Sequence, residues 1–245
     1  MTTIIQITDL HIPDINEITY DIDVKKNLTH TIQTIRNEVF DILIVTGDIA
    51  FKRANTHSYE FAKQSMQYIC NSLYILGGNH DKIELLQEFF PNSFPHNSTY
   101  YKIPNRDSTI LCLDSSSSKI NQQQLDWLQF ELSHSQNVNI FIHHPILPTQ
   151  VAYMESKYSL HCRNQIIKIL EQHPYPISIF CGHFHTEDTT IYKHITQFIT
   201  PSLLYQVNKY NTSFEIGSKD IGYRKIIINN QHVSTEVKWI RDKDV

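Results

Sequence analysis

Short apolar runs recur along the chain, and five of them are followed at once by a cluster of polar residues. Residues 3–7 lead into Asp9, residues 42–45 into Gly47-Asp48, and residues 73–76 into Gly77-Gly78-Asn79. Residues 139–142 lead into His143, and residues 177–180 into Gly182. Runs this short, rich in Ile, Leu and Val, predict strands buried on both faces. Such strands need helices to cover them, and four segments have helical spacing. Residues 24–39 carry Val24, Leu28, Ile32, Ile35 and Val39 on one stripe. Residues 58–70, residues 121–133 (Leu125, Leu128 and Leu132 on one face) and residues 164–173 supply the others. The repeated order of strand, polar loop and helix predicts an α/β fold with its site at the carboxyl ends of the strands. The tail differs. Residues 195–198, 223–228 and 232–237 read as strands with no helix between them, and Asn229-Asn230-Gln231 as the turn joining the last two. They predict a second, more antiparallel sheet that closes a sandwich. Residues 146–163 show no clear period and follow a histidine pair almost directly, which marks them as a loop lining the site.

At 245 residues the chain has the size of one layered domain, spanning residues 1–245, with room for a sizeable core. Its formal net charge of −4 argues against electrostatic binding of a nucleic-acid polymer. Cys70, Cys112, Cys162 and Cys181 have neither metal-site nor disulfide spacing, which indicates a reducing compartment and a cytoplasmic protein. The opening MTTIIQITDLH has no basic stretch before its apolar part and reads as a first strand, not a signal peptide. No apolar run approaches the roughly 18 residues of a spanning helix, so no membrane contact is expected. The 13 Tyr and 12 Phe suffice for an exposed aromatic patch that would support a homodimer.

Glycine is scarce, and four of the six (Gly47, Gly77, Gly78, Gly182) fall in the polar clusters, where backbone must turn sharply beside a ligand. The clusters are Asp9-Leu10-His11, Gly47-Asp48, Gly78-Asn79-His80-Asp81, His143-His144-Pro145 and Gly182-His183-Phe184-His185. Carboxylate, imidazole and one carboxamide, without cysteine, form the donor mixture for Mn²⁺, Fe²⁺ or Zn²⁺ and not a structural zinc cage. Asp9 and His11 are two apart and would share one side of a straight strand. Asp48 has two oxygens to divide between two ions. Asn79 offers a neutral oxygen that limits the negative charge. His80 beside it is expected to face the substrate as proton donor or charge stabiliser, with Asp81 holding its imidazole. Of the adjacent pair, His143 is assigned to the metal, and His144 either supports it or touches substrate. Taken singly, each cluster reads equally as a polar turn or a loop histidine. Five clusters ending five apolar runs predict a dinuclear metal centre. His30, His57, His96, His134, His161, His173, His194 and His232 lie outside the pattern, with His161 alone in the lining loop.

In this order the clusters resemble the calcineurin-like metallophosphoesterase superfamily, whose pattern is D-x-H, G-D, G-N-H-D/E, H and G-H-x-H. They span residues 9 to 185, about three-quarters of the chain. Gln6-Ile7-Thr8-Asp9, Leu113-Asp114-Ser115, Gln124-Leu125-Asp126-Trp127-Leu128, the His-His-Pro element and Thr200-Pro201-Ser202 are similar to class III cyclic-nucleotide phosphodiesterases. Bacterial glycerophosphodiesterases share most of these features. The cyclic AMP enzymes often continue the histidine pair with a second proline and a Gly-containing loop, where this chain has Pro145-Ile146-Leu147-Pro148-Thr149. The resemblance implies a four-layer αββα sandwich of two mixed sheets flanked by helices, and two divalent metals (Mn²⁺, Fe²⁺/Fe³⁺ or Zn²⁺). One ion would fall to Asp9, His11, Asp48 and His185, the other to Asp48, Asn79, His143 and His183, with Asp48 bridging. His11, Asn79, His80, His144 and His185 would contact the substrate. The implied reaction is hydrolysis of a small phosphodiester, a 3′,5′-cyclic nucleotide giving a 5′-monophosphate, by a metal-bound hydroxide with His80 acting on the leaving alkoxide. Rival readings with the same metals are a glycerophosphodiesterase, a nucleotidase or a broad-specificity phosphoesterase. A lipid-A precursor pyrophosphatase fits less well, since those carry Gly-Asn-Arg-Asp at the third cluster, and the charge balance opposes a DNA nuclease. A binding scaffold that had lost catalysis would lack a ligand or His80, and this chain keeps them all.

Overall fold

The structure is a computed structural model that describes residues 1–245 except 70–71, 107, 230–231 and 242–245. In chain order its strands begin with β1 (Thr2–Ile7), β2 (Ile42–Thr46), β3 (Leu73–Leu76), β4 (Tyr101–Ile103), β5 (Thr109–Cys112) and β6 (Val138–Phe141). They continue with β7 (Ile177–Cys181), β8 (Asp188–Tyr192), β9 (Ile195–Ile199), β10 (Gln206–Val207), β11 (Ile216–Ser218), β12 (Ile221–Asn229) and β13 (His232–Ile240). The helices are α1 (Val24–Ile35), α2 (Thr56–Met66), α3 (Ile83–Phe89), α4 (Gln122–Ser133), α5 (Ala152–Tyr158) and α6 (Arg163–Glu171).

Side-chain alternation along the strands decides the layers. In β5 and the residue after it, Ile110 and Cys112 pack into one core and Leu111 and Leu113 into the other. Phe141 on β6 and Phe180 on β7 face the same way as Ile110; Phe141 stacks on Phe180 at a ring separation of 5.1 Å and Phe180 on Phe198 at 5.3 Å. The opposite face takes Leu125, Leu128 and Leu132 of α4 with Ile166 and Leu170 of α6. Ile4, Ile5 and Ile7 of β1 share the first core with Leu28 and Ile32 of α1 and Tyr59 and Met66 of α2. The result is helix, sheet, sheet, helix: the four-layer αββα sandwich.

Both large sheets are mixed, and β10 and β11 pair as a separate two-stranded sheet. The first runs β13-β12-β1-β2-β3, with β1, β2 and β3 parallel and β12 antiparallel to β1 and to β13. The second runs β4-β5-β6-β7-β9-β8, with β5, β6, β7 and β9 parallel and antiparallel strands at both edges. The three expected tail strands therefore do not make a sheet of their own. β9 extends the second sheet, whereas β12 returns to pair with β1, Ile4 opposite Ile226 and Thr2 opposite Ile228. That register buries Ile226 and Ile228 in the first core, which local alternation in the tail could not specify. Asn229 pairs with His232, and residues 230 and 231 of the expected turn lie outside the described residues.

Helix starts follow capping chemistry: Asp23, Asn55 and Asn121 accept from the backbone N–H three residues on. α1 ends at Ile35, four residues short of expectation, and Val39 is 88 % exposed. The chain turns there so that Glu38 can accept from Lys225 Nζ at 2.6 Å and from Tyr223. The aperiodic segment 146–163 hides the short helix α5. Between the sheets, Thr200 donates to Gln6 Oε1 (2.6 Å), Gln6 Nε2 donates to Thr46 (2.9 Å), and Arg224 donates to Thr200 (3.0 Å) and to the Ile199 carbonyl (2.9 Å). These groups are buried and mutually satisfied, as buried polar groups must be. No helix among the described residues is long and apolar enough to cross a membrane.

Candidate metal centre

Each of the five polar loops begins where a parallel strand ends. β1, β2 and β3 deliver Asp9 and His11, Asp48, and Asn79 and His80 from the first sheet. β6 and β7 deliver His143 and His144, and His183 and His185, from the second. The loops do not continue as straight strands. Asp9, His11, Asp48, His183 and His185 all have φ between 48° and 68°. Left-handed backbone costs a non-glycine residue about 1–2 kcal/mol, so the surrounding contacts must over-determine these turns. Asp9 and His11 are thus re-aimed one by one and do not sit side by side on a pleat. The Asp9 carbonyl accepts from Ser202 Oγ (3.1 Å) and Leu203 N (3.2 Å), which gives the Thr200-Pro201-Ser202 segment its place. Gly78 lies where no side chain fits: a Cβ would stand 2.1 Å from Asp48 Oδ1 and 2.4 Å from Asp48 N.

Three donor groups result, one of them His11, Asp48 and His80. Ligand atoms of Asp9, His11 and His185 lie within 4.8 Å of one another, as do those of Asp48, His143 and His183. Asp48 Oδ2 belongs to both, 3.7 Å from His11 Nε2 and 3.4 Å from His143 Nε2. Asn79 Oδ1 is 3.3 Å from His143 Nε2. His183 directs Nε2 to the Tyr158 carbonyl at 2.9 Å, which leaves Nδ1 for the centre. Two observations show that these residues fit divalent cations. Asp9 Oδ1 is buried with no hydrogen-bond partner although His185 Nε2 lies 3.4 Å away. His11 and His185 bring their Nε2 atoms to 2.8 Å, close enough for one cation to take both.

The protonation states agree. Burial and the neighbouring His185 push His11 down to about 3, and burial and His143 push His183 down to about 4. Burial opposes the Asp9 and Asp48 charges, but the surrounding imidazoles outweigh it and hold both carboxyls well below the carboxylate range. Burial also opposes charge on His143, but Asp48 overrides it and carries that imidazole up to about 9. Ionised carboxylates beside the neutral imidazoles of His11 and His183 are the deprotonated donors a metal requires, whereas His143 must give up its proton to coordinate.

His80 stands apart from this buried set. Its side chain is 33 % exposed, Nε2 is 3.8 Å from Asp48 Oδ2, and Nδ1 faces the Lys52 carbonyl at 3.2 Å. Asp81 does not hold its ring. Instead Asp81 accepts from the backbone N–H groups of Gly78, Ile49 and Ala50 and from Tyr59 Oη, all within 3.2 Å. Its carboxylate ties the Asp48 loop to the Asn79 loop, a backbone role and not a chemical one. His144 is also corrected. It is buried behind His143 and His183, with ring nitrogens facing Ser115 Oγ (2.9 Å) and Ser118 Oγ (3.5 Å), so it supports the ligands and has no face toward substrate.

A cavity of about 400 Å³ opens over the cluster. His11, Asp48, Asn79, His80, His183 and His185 form its floor. The calcineurin-like phosphoesterase model matches residues 2–187. The chain belongs to the calcineurin-like phosphoesterase family. It is 29 % identical over 239 residues to a probable cyclic nucleotide phosphodiesterase of Fibrobacter succinogenes, covering 95 % of this chain and 91 % of that one. It is 27 % identical over 217 residues to a probable glycerophosphodiester phosphodiesterase of Arcobacter nitrofigilis, covering 83 % and 79 %. Among solved structures, a dimetal phosphatase from Danio rerio shares the fold with a TM-score of 0.70 at 14 % identity, over 98 % of each chain. This phosphoesterase has cavity walls that its motifs did not disclose: Tyr20, Phe51, Lys52, Tyr205 and Phe214 join Tyr153, Met154 and Tyr158 of the expected lining loop. His161 of that loop is exposed and does not line the cavity.

Proposed function

We propose that the chain is a dinuclear-metal phosphodiesterase that opens 3′,5′-cyclic nucleotides to 5′-monophosphates. Asp9, His11, Asp48 and His185 would hold one ion, and Asp48, Asn79, His143 and His183 the other. The observation that carries the reading is the convergence of this donor set, complete, on one buried carboxylate beneath a cavity sized for a small molecule. Two divalent ions, when bound, would neutralise phosphoryl oxygens and acidify a water. Manganese and iron suit the carboxylate, carboxamide and imidazole mixture. The chain's own contribution is positional and protonic. The Lys52 carbonyl accepts from His80 Nδ1–H, which aims Nε2 into the cavity. Protonated His80 delivers its Nε2 proton to O3′ as the P–O3′ bond breaks and water oxygen joins phosphorus. The free state of Cys112, Cys162 and Cys181 supports a cytoplasmic setting.

The test is a comparison of initial rates, in Mn²⁺, on 3′,5′-cyclic AMP, 2′,3′-cyclic AMP, glycerophosphoethanolamine and bis-p-nitrophenyl phosphate. The highest kcat/KM is expected for 3′,5′-cyclic AMP. Strong turnover of the activated diester with poor cyclic AMP turnover would shift the substrate to another diester, glycerophosphodiesters first.

A further inference from the structure

We infer that the aromatic chamber of Tyr20, Phe51, Tyr153, Tyr158, Tyr205 and Phe214 receives an uncharged planar nucleobase and thereby selects nucleoside diesters over diesters with a cationic head group. The inference rests on the phosphodiesterase reading for what happens at phosphorus, and on the chamber alone for what is bound beside it.

The rings begin at the metal donors and extend outward. Tyr205 lies 5.0 Å from the His185 ring, Phe51 6.1 Å from His11 and Tyr158 6.4 Å from His183. Phe214 touches Tyr20, Tyr153 and Tyr205 at centroid separations of 5.8 to 6.0 Å. Tyr20, Tyr158 and Phe214 remain 41–47 % exposed although they are clustered. Apolar rings gathered and left open mark a binding surface. The chamber is also built in advance of any ligand. Ala152 N donates to the Lys209 carbonyl (3.0 Å) and Tyr153 N to the Asn211 carbonyl (3.1 Å), which fastens α5 to the segment carrying Phe214. Glu155 anchors α5 from the other side, accepting from Thr149 N and pairing with Arg163.

Charge decides the class of occupant. Aromatic faces attract either a stacked base or a quaternary ammonium. Among the described lining residues Asp48 is the one carboxylate, and it is committed to the histidines of the floor. Lys52 is the one lysine or arginine in the lining, with Nζ 5.3 Å from the Phe51 centroid. The exposed Lys52 adds positive charge at the chamber and no free carboxylate offsets it, which disfavours choline or ethanolamine and leaves an uncharged base as the fitting occupant.

The test separates the chamber from the chemistry. In Mn²⁺, kcat/KM is measured for cyclic AMP and for the 3′,5′-cyclic phosphate of methyl ribofuranoside, which keeps the phosphate ring and lacks the base. Base stacking predicts a preference for cyclic AMP of about 5–150-fold, reduced by a similar factor in Phe214→Ala and largely kept in Phe214→Tyr. With EDTA present, 2-aminopurine riboside 3′,5′-cyclic monophosphate should be quenched on binding, with Kd weakened in Phe214→Ala and Tyr153→Leu by a comparable factor. Thermal melts establish that the variants fold. An unchanged preference and unchanged Kd in both variants would overturn the inference, as would tighter binding of glycerophosphocholine than of the cyclic nucleotide. If no diester is hydrolysed but base-dependent quenching persists, the chamber stands and the catalytic reading falls.

Discussion

Gly78→Ala would place one methyl group against the shared carboxylate of the metal centre. The new Cβ would lie 2.1 Å from Asp48 Oδ1, 2.4 Å from Asp48 N and 2.7 Å from Asp48 Cγ. Rotating the carboxylate relieves the first contact but not the second, because the backbone nitrogen belongs to the turn itself. Restoring ordinary contact needs a displacement of about 1 Å of one loop against the other. Asp81 resists that displacement, since it accepts from Gly78 N on one loop and from Ile49 N and Ala50 N on the other. A misplacement of about 1 Å in a catalytic constellation costs about 100-fold in rate, or about 2.7 kcal/mol of barrier. Gly77→Ala supplies the contrast, because its Cβ meets the terminal Cδ1 of Ile83 at 2.5 Å, the far end of a flexible side chain. Initial rates on bis-p-nitrophenyl phosphate, titrated with Mn²⁺ and paired with a thermal melt, measure both variants. Gly78→Ala is expected to lose about 100-fold in kcat/KM and Gly77→Ala a few-fold at most. Gly78→Ala within threefold of the parent enzyme would refute the assigned tightness around Asp48.

His80→Ala should lower kcat by about 100-fold or more while both manganese ions stay bound; metal analysis beside turnover checks it, and full activity removes His80 from the reaction. Asp48→Asn should weaken both ions together, and retention of two ions per chain would contradict its shared role. Arg224→Met removes the donors to the Ile199 carbonyl and the Thr200 hydroxyl, a loss of about 3 kcal/mol and a fall in Tm of about 6–12 °C, read in a thermal melt; a fall under about 2 °C would show the inter-sheet network to be dispensable. The hydrogen bond from Lys225, with that from Tyr223, holds the Glu38 carboxyl below its ordinary 4.5, so its stabilisation is present above that value and is lost as pH falls through the lower folded value. The Tm gap between the parent chain and Glu38→Gln should therefore close on acidification below about pH 4.5, and a gap that widens there contradicts the assignment.

The donor residues were legible because each follows a short buried run, and parallel strands leave their loops at one end of a sheet. Asp9, His11, Asp48, Asn79, His143, His183 and His185 accordingly meet in space. What neighbouring letters do not encode is direction. Asp81 is adjacent to His80 yet turns to backbone amides, because the left-handed turn at Asp48 brings the Ile49 and Ala50 N–H groups to it. His144 is adjacent to His143, and the backbone bend at the pair keeps the two rings 4.9 Å apart, yet the His144 nitrogens face Ser115 and Ser118. The two sheets could not be apportioned for a similar reason. β12 pairs with β1 across most of the chain, and its alternation fits either sheet until that partner is known. The aromatic walls come from residues 20, 51, 153, 158, 205 and 214, whose spacing follows no period, so only folding assembles them.

Counting metal in the purified chain tests the dinuclear centre most directly. The parent protein, loaded with Mn²⁺ and desalted, is expected to retain two ions per chain by elemental analysis and to give the electron paramagnetic resonance spectrum of an exchange-coupled pair. Asp48→Asn is expected to lose that coupling. One uncoupled ion per chain, or none, with a native thermal melt would contradict a centre built on a shared Asp48.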